Sequence, residues 1–169
     1  REYFIDADKL FIVGDSAGAQ IASQYAAILT NKQYGRLFGF EKPEIGVRGC
    51  AFNCGMYDMK RIMSANHEEM YDVYIQGREN ELAEQLNVME SITTDFPPSF
   101  VMTAYYDFLR DEAPRLANRL DELGVKNICK MYGAAGQNHM AHVFHLNTVL
   151  DEAIRCSDEE CKFFEELML

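Results

Sequence analysis

Gly14-Asp15-Ser16-Ala17-Gly18 places a serine between two glycines, directly after the apolar run Lys9-Leu10-Phe11-Ile12-Val13. Gly-x-Ser-x-Gly in that context is the spacing of a nucleophilic serine carried on a sharp strand-to-helix turn. Such a turn holds the serine in strained backbone angles and projects its hydroxyl above a sheet, while the glycines keep side chains out of the substrate's approach. The N–H of Ala17, at the start of the following helix, is placed to stabilise a developing oxyanion. The same five residues would also suit a plain tight turn in which Ser16 caps a helix. The partners decide between the two, because a weakly acidic hydroxyl needs a base and the base needs a third group to fix its tautomer.

A carboxylate for the third position lies just beyond a later strand candidate, Ser99 to Tyr106, at Asp107. A solvated turn acid would occupy the same place. Asp111 and Glu112 suit the first turn of the next helix better, Asp111 as its cap. The base is expected in the loop after the last strand, which holds His139, His142 and His145. Position alone does not separate these three. Their spacing of three residues could suggest a metal site, but it rotates ligands off one helix face and no carboxylate or cysteine completes a pattern. No metal and no cofactor are expected.

The elements around these residues alternate. After the first strand, the larger apolar residues Ile21, Tyr25, Ile28 and Leu29 fall at one-face helical spacing between Ala17 and Thr30, with small residues at Ala17, Gly18, Ala19 and Ala22 for close packing. Val47 to Cys54 reads as a second strand, closed by Gly55, and 58–89 as a charged helical insertion after it. Phe96-Pro97-Pro98 punctuates the chain before the third strand. A helix with Pro114 in its first turn follows, striped by Ala113, Leu116, Ala117, Leu120 and Leu123 and stopped by Gly124. Val125 to Tyr132 is a fourth strand, and a final helical stretch runs to Leu169. Alternating strand and helix implies an α/β fold with a mostly parallel sheet flanked by helices. The first strand, apolar throughout, reads as buried.

A net charge of −11 and a pI near 4.8 argue against a nucleic-acid or anionic-membrane surface. No run approaches the roughly 20 apolar residues of a membrane span. The five cysteines show neither metal-ligand pairing nor disulfide-scaffold density, which points to reduced thiols and a cytoplasmic setting. A small neutral molecule is the partner that fits.

Gly14-Asp15-Ser16-Ala17-Gly18, Pro97-Pro98, Asp107-x-Leu109-x-Asp111-Glu112 and His142-Val143-Phe144 together resemble the hormone-sensitive-lipase-like family of α/β-hydrolases. The match is ordered, colinear and spans nearly the whole chain. The resemblance implies a serine esterase on small acyl esters, with Ser16 as nucleophile, Asp107 as acid and His142 as general base, His139 being the alternative if the loop is shifted. The family usually has glycine at Val143 and Gly-Asn at Ala19-Gln20. Its His-Gly-Gly-Gly oxyanion loop normally lies well upstream of the elbow, whereas this chain begins about fifteen residues before Ser16. The expectation is therefore that 1–169 is the C-terminal part of an α/β-hydrolase domain, without the N-terminal strands and oxyanion loop, and nearly inert alone. Its first strand would have an open edge that invites self-association. A peptidase or amidase, or a non-catalytic ligand-binding relative, are the competing functions on this scaffold.

Overall fold

Strand and helix alternate because each apolar run is too short for a helix and each is followed by a segment with 3.6-residue periodicity. The structure, a computed structural model, describes residues 3–39, 42–59, 61 and 75–169. Its elements run β1 (Leu10–Asp15), α1 (Ala17–Thr30), α2 (Lys32–Gly35), β2 (Val47–Asn53), α3 (Glu79–Leu86), α4 (Val88–Ser91), β3 (Ser99–Ala104), α5 (Glu112–Glu122), β4 (Asn127–Tyr132) and α6 (Asp151–Met168). Much of the expected insertion at 58–89 lies outside the described residues; α3 and the start of α4 fall in its described part.

Among the described residues the four strands form one parallel sheet in the order β1-β2-β3-β4. Pairing of Asp15 with Asn53, of Asn53 with Met102, and of Ala104 with Tyr132 brings all four carboxyl ends to one edge. Loops leaving that edge are where ligands meet such sheets. Successive residues of β2 face opposite sides. Cys50 and Phe52 pack with Ala19, Ala22 and Ala26 of α1 and Leu116 and Leu120 of α5, whereas Ala51 packs with Phe100, Met102, Cys156 and Phe163 toward α6. Helices therefore cover both faces. The small residues of α1 let it lie directly on the sheet. None of the described helices is long and apolar enough to cross a membrane.

Three expectations are adjusted. No residue of β1 is fully buried and Val13 is 52% exposed, because among the described residues β1 pairs only with β2 and forms the sheet's edge. β3 ends at Ala104, and Tyr106 instead makes an isolated bridge to Ala141, tying the loop after β3 to the loop after β4. The acidic pair before α5 does not act as a cap. Asp111 stands at the N-cap without a side-chain bond to the helix, and Glu112 is only 1% exposed.

Glu112 reaches back to the loop after β2. Its carboxylate accepts the backbone N–H groups of Tyr57 (3.3 Å) and Asp58 (3.2 Å) and the Arg61 guanidinium (Nε at 3.1 Å, with a second bond from Nη2). Arg115 closes the network on Asp58 at 3.1 Å. One buried acid thus fastens the exit of β2 to the start of α5. Glu112→Ala, which leaves two backbone donors without their acceptor, is expected to destabilise the fold by about 3 kcal/mol. Equilibrium urea unfolding measures this; a loss below about 1 kcal/mol would mean that water replaces the carboxylate.

Candidate active site

Each candidate side chain follows the carboxyl end of a strand. Ser16 follows β1, Asp107 lies three residues past β3, and His142 is on the long loop after β4. Ser16 has φ 52 and ψ −119, a backbone state rare for any residue but glycine, and its side chain makes no helix-cap bond. Instead its N–H donates to Asn53 O on β2 at 2.9 Å, and its carbonyl accepts from Ala19 and Gln20 of α1. Strand and helix thereby hold the turn from both sides. The hydroxyl Oγ lies 2.8 Å from His142 Nε2, and His142 Nδ1 lies 2.8 Å from Asp107 Oδ1.

Asp107, 3% exposed, also accepts the Leu109 N–H at Oδ1 (2.9 Å) and the Thr103 hydroxyl at Oδ2 (3.0 Å). Burial pushes its pKa up, but the bonds from His142, the Leu109 N–H and the Cys54 thiol outweigh this and hold it below the ordinary carboxylate value. An ionised carboxylate only accepts, so the His142 proton sits on Nδ1 and the Nε2 lone pair faces Ser16. That arrangement can take a proton from Ser16 Oγ. The stabilisation from Asp107 is fully present above the unfolded carboxylate pKa and is lost as pH falls through the lower folded value.

A family profile for the alpha/beta hydrolase fold matches residues 1–146. The chain belongs to that family. The α/β hydrolase R526 of Acanthamoeba polyphaga mimivirus is 26% identical over an alignment of 132 residues that covers 74% of this chain and 38% of that protein. Esterase B from Lactobacillus rhamnosis superposes with a TM-score of 0.83 at 24% identity, over 96% of this chain and 54% of its own. Carboxylesterase Cest-2923 from Lactobacillus plantarum WCFS1 gives 0.75 at 13% identity, over 96% and 60%. The Pyrobaculum calidifontis esterase gives 0.70 at 19%, over 97% and 54%. At these identities the likeness to the solved structures is one of fold. The chain spans about half the length of those structures.

Of the three loop histidines, the structure brings only His142 to Ser16. His139 is exposed, and the His145 ring is partly buried, which pushes its pKa below the usual imidazole value. Among the described residues the potential metal ligands that converge are Cys54, Asp107 and His142, within 4.8 Å of one another, not the histidine triplet. Asp107 and His142 are engaged in the bonds already described. Cys54 is 1% exposed, and burial first and the Asp107 charge second push its pKa up, so it stays a neutral thiol beside the acid. Neither Thr103 nor Cys54 carried a signal in the sequence beyond lying at the carboxyl ends of strands.

Val143, where the family usually has glycine, sits at φ 53. A β-branched residue in this left-handed region is strained by roughly 1–2 kcal/mol. The next residue, Phe144, is buried against Tyr132 at a ring distance of 5.4 Å and anchors the loop.

The two glycines that flank Ser16 differ. A Cβ on Gly14 would strike the backbone of Gly18 and come within 2.8 Å of Ala19 N, whereas one on Gly18 would meet nothing within 4 Å. Gly14→Ala is therefore expected to unfold the elbow, seen as loss of soluble, cooperatively melting protein. Gly18→Ala is expected to fold with stability within about 1 kcal/mol of the parent, since alanine is the better helix former. Equal damage from both substitutions in thermal melts would contradict this.

Proposed function

We propose that the protein is a serine carboxylic-ester hydrolase that works on small acyl esters through an acyl-Ser16 intermediate. The observation that carries this reading is the unbroken line of hydrogen bonds from Ser16 Oγ through His142 to Asp107, at 2.8 Å each. Family membership supports it, as does the fold shared with named esterases, one of whose structures is described as inhibited by a tributyrin phosphonate. An intact serine, histidine and acid weighs against a ligand-binding relative that lacks the chemistry.

In this reading Ser16 Oγ attacks the ester carbonyl while its proton passes to His142 Nε2. Negative charge grows on the carbonyl oxygen, and the Ala17 N–H, first in α1 and not used by the helix's own ladder, donates to it. Collapse of the tetrahedral intermediate breaks the C–O bond to the alcohol, which leaves with the proton from His142. Water then attacks the acyl-serine with His142 as base, releasing the carboxylic acid and restoring the serine. Asp107 does not change protonation state in this cycle; it holds the imidazole's tautomer and offsets its positive charge.

In the full-length protein a fluorophosphonate is expected to label Ser16, and chromogenic acetate or butyrate esters are expected to turn over. Ser16→Ala should abolish both signals, and Asp107→Asn should lower kcat by about three to four orders of magnitude without loss of fold. Labelling that survives in Ser16→Ala, or turnover indifferent to Ser16, rejects the assignment.

A further inference from the structure

We propose that Thr103 is a positioning residue for the reaction: its buried hydroxyl holds one oxygen of the Asp107 carboxylate, Oδ2, and thereby keeps the other, Oδ1, turned to His142. The inference rests on the reading of Ser16, His142 and Asp107 given above and adds to it a residue that acts only through the acid.

The acid needs such a hold because of where it sits. Asp107 lies in the turn after β3 rather than on the strand, and its side chain folds back toward the strand's end. The carboxylate torsion of an aspartate is broad and roughly two-fold, so nothing in the side chain itself selects the oxygen that faces a base. Oδ1 takes two donors, His142 Nδ1 at 2.8 Å and the Leu109 N–H at 2.9 Å, and the second of these belongs to the same turn and moves with it. The Thr103 hydroxyl, which donates to Oδ2 at 3.0 Å, comes from β3 itself, where Thr103 pairs with Met131 of β4. It is the donor that fixes the carboxylate plane against the sheet. The Cys54 thiol also lies beside the acid, but a thiol is a weak donor next to a hydroxyl.

Burial supports the same role. Thr103 is 1% exposed, on a strand where Val101, Met102 and Ala104 are core residues. A valine would fill a similar volume there, and a buried hydroxyl costs stability unless it finds a partner. Packing therefore gives no reason for the oxygen, whereas Asp107 does. With a side-chain or backbone donor on each oxygen, the carboxylate stays in one plane and the imidazole it holds keeps Nε2 aimed at Ser16 Oγ. Without the hydroxyl the carboxylate rocks, and Nε2 leaves its line to the serine. The loss falls on the chemical step rather than on substrate binding, because alignment of Nε2 counts most while the proton moves.

The test measures kcat and KM of the full-length protein on a chromogenic butyrate ester for Thr103→Val and Thr103→Ser, each alone and combined with Asp107→Ala, with melting temperatures as the check on folding. Thr103→Val keeps the shape and loses the donor; it is expected to lower kcat by roughly ten- to fiftyfold with KM within about twofold, the scale of a hydrogen bond to a charged group. Thr103→Ser keeps the donor and loses a core methyl; it is expected to melt lower than the parent and yet hold kcat within about threefold. In the Asp107→Ala background, Thr103→Val is expected to cost less than about twofold, since no carboxylate remains to be held. A role confined to packing would make activity follow melting temperature, with Thr103→Ser as damaging as Thr103→Val, or would leave the cost of Thr103→Val the same with and without the carboxylate; either result overturns the proposal. So does a Thr103→Val protein as active as the parent. Should Thr103→Val fail to fold, Thr103→Ala takes its place against Thr103→Ser, the two differing only in the hydroxyl, and equal kcat for that pair overturns the proposal. A parent that neither hydrolyses the ester nor is labelled by a fluorophosphonate overturns the esterase assignment and this proposal together.

Discussion

The site depends on one close approach: there is no room for a side chain at Gly14 where the end of β1 meets the start of α1. Because α1 packs onto the sheet immediately, the single residue joining strand to helix must reverse the chain within one set of backbone angles. Ser16 takes that strain at φ 52. The strain persists because its N–H is held by β2 and its carbonyl by α1, so the turn is over-determined from both neighbours. The Ser16 hydroxyl and the Ala17 N–H are then presented on the same corner, which in the proposed reading serves attack and the charge that attack creates.

The parallel register does for the other groups what the elbow does for the serine. With four carboxyl ends level, the loops after β1, β2, β3 and β4 contribute Ser16, Cys54, Asp107 and His142 to one place. Each loop is then fixed by polar contacts between loops or to a strand. Thr103 and the Leu109 N–H fix Asp107, the Tyr106–Ala141 bridge draws the histidine loop toward the acid loop, and Glu112 binds the exit of β2 to α5. Left-handed backbone at Ser16, Cys54 and Val143 falls in three of these four loops. Strain concentrated at one edge of a well-packed sheet is the pattern expected where geometry serves chemistry rather than stability.

The order of elements, the helix α1, the stripe and stop of α5, and the places of Ser16 and Asp107 were legible because they are local: periodicity, glycine punctuation and motif spacing are all written within a few residues. Boundaries slipped where pairing sets them, as at the end of β3, since a strand ends when its neighbour no longer bonds to it. The apolar run of β1 reads as buried but is partly exposed, because such a run reports composition, not how many neighbours a strand has; in the sequence the open edge follows only from the family resemblance.

What the amino-acid sequence offered by itself was a candidate chemistry, since a serine on a glycine-flanked turn followed in order by an acid and a histidine belongs to few mechanisms. Spacing left three nearby histidines open and the family resemblance pointed to His142; the tertiary structure is what brings it to the serine, because residues 126 positions apart reach 2.8 Å by strand register and loop path rather than by spacing along the chain. It likewise turned Glu112 from an apparent helix-end charge into a buried fastener, and placed Thr103, Cys54 and Phe108 around the acid and base. The reason is the same for each. A side chain's type fixes what it can bond, but its partner is fixed by the packing of elements distant in the chain.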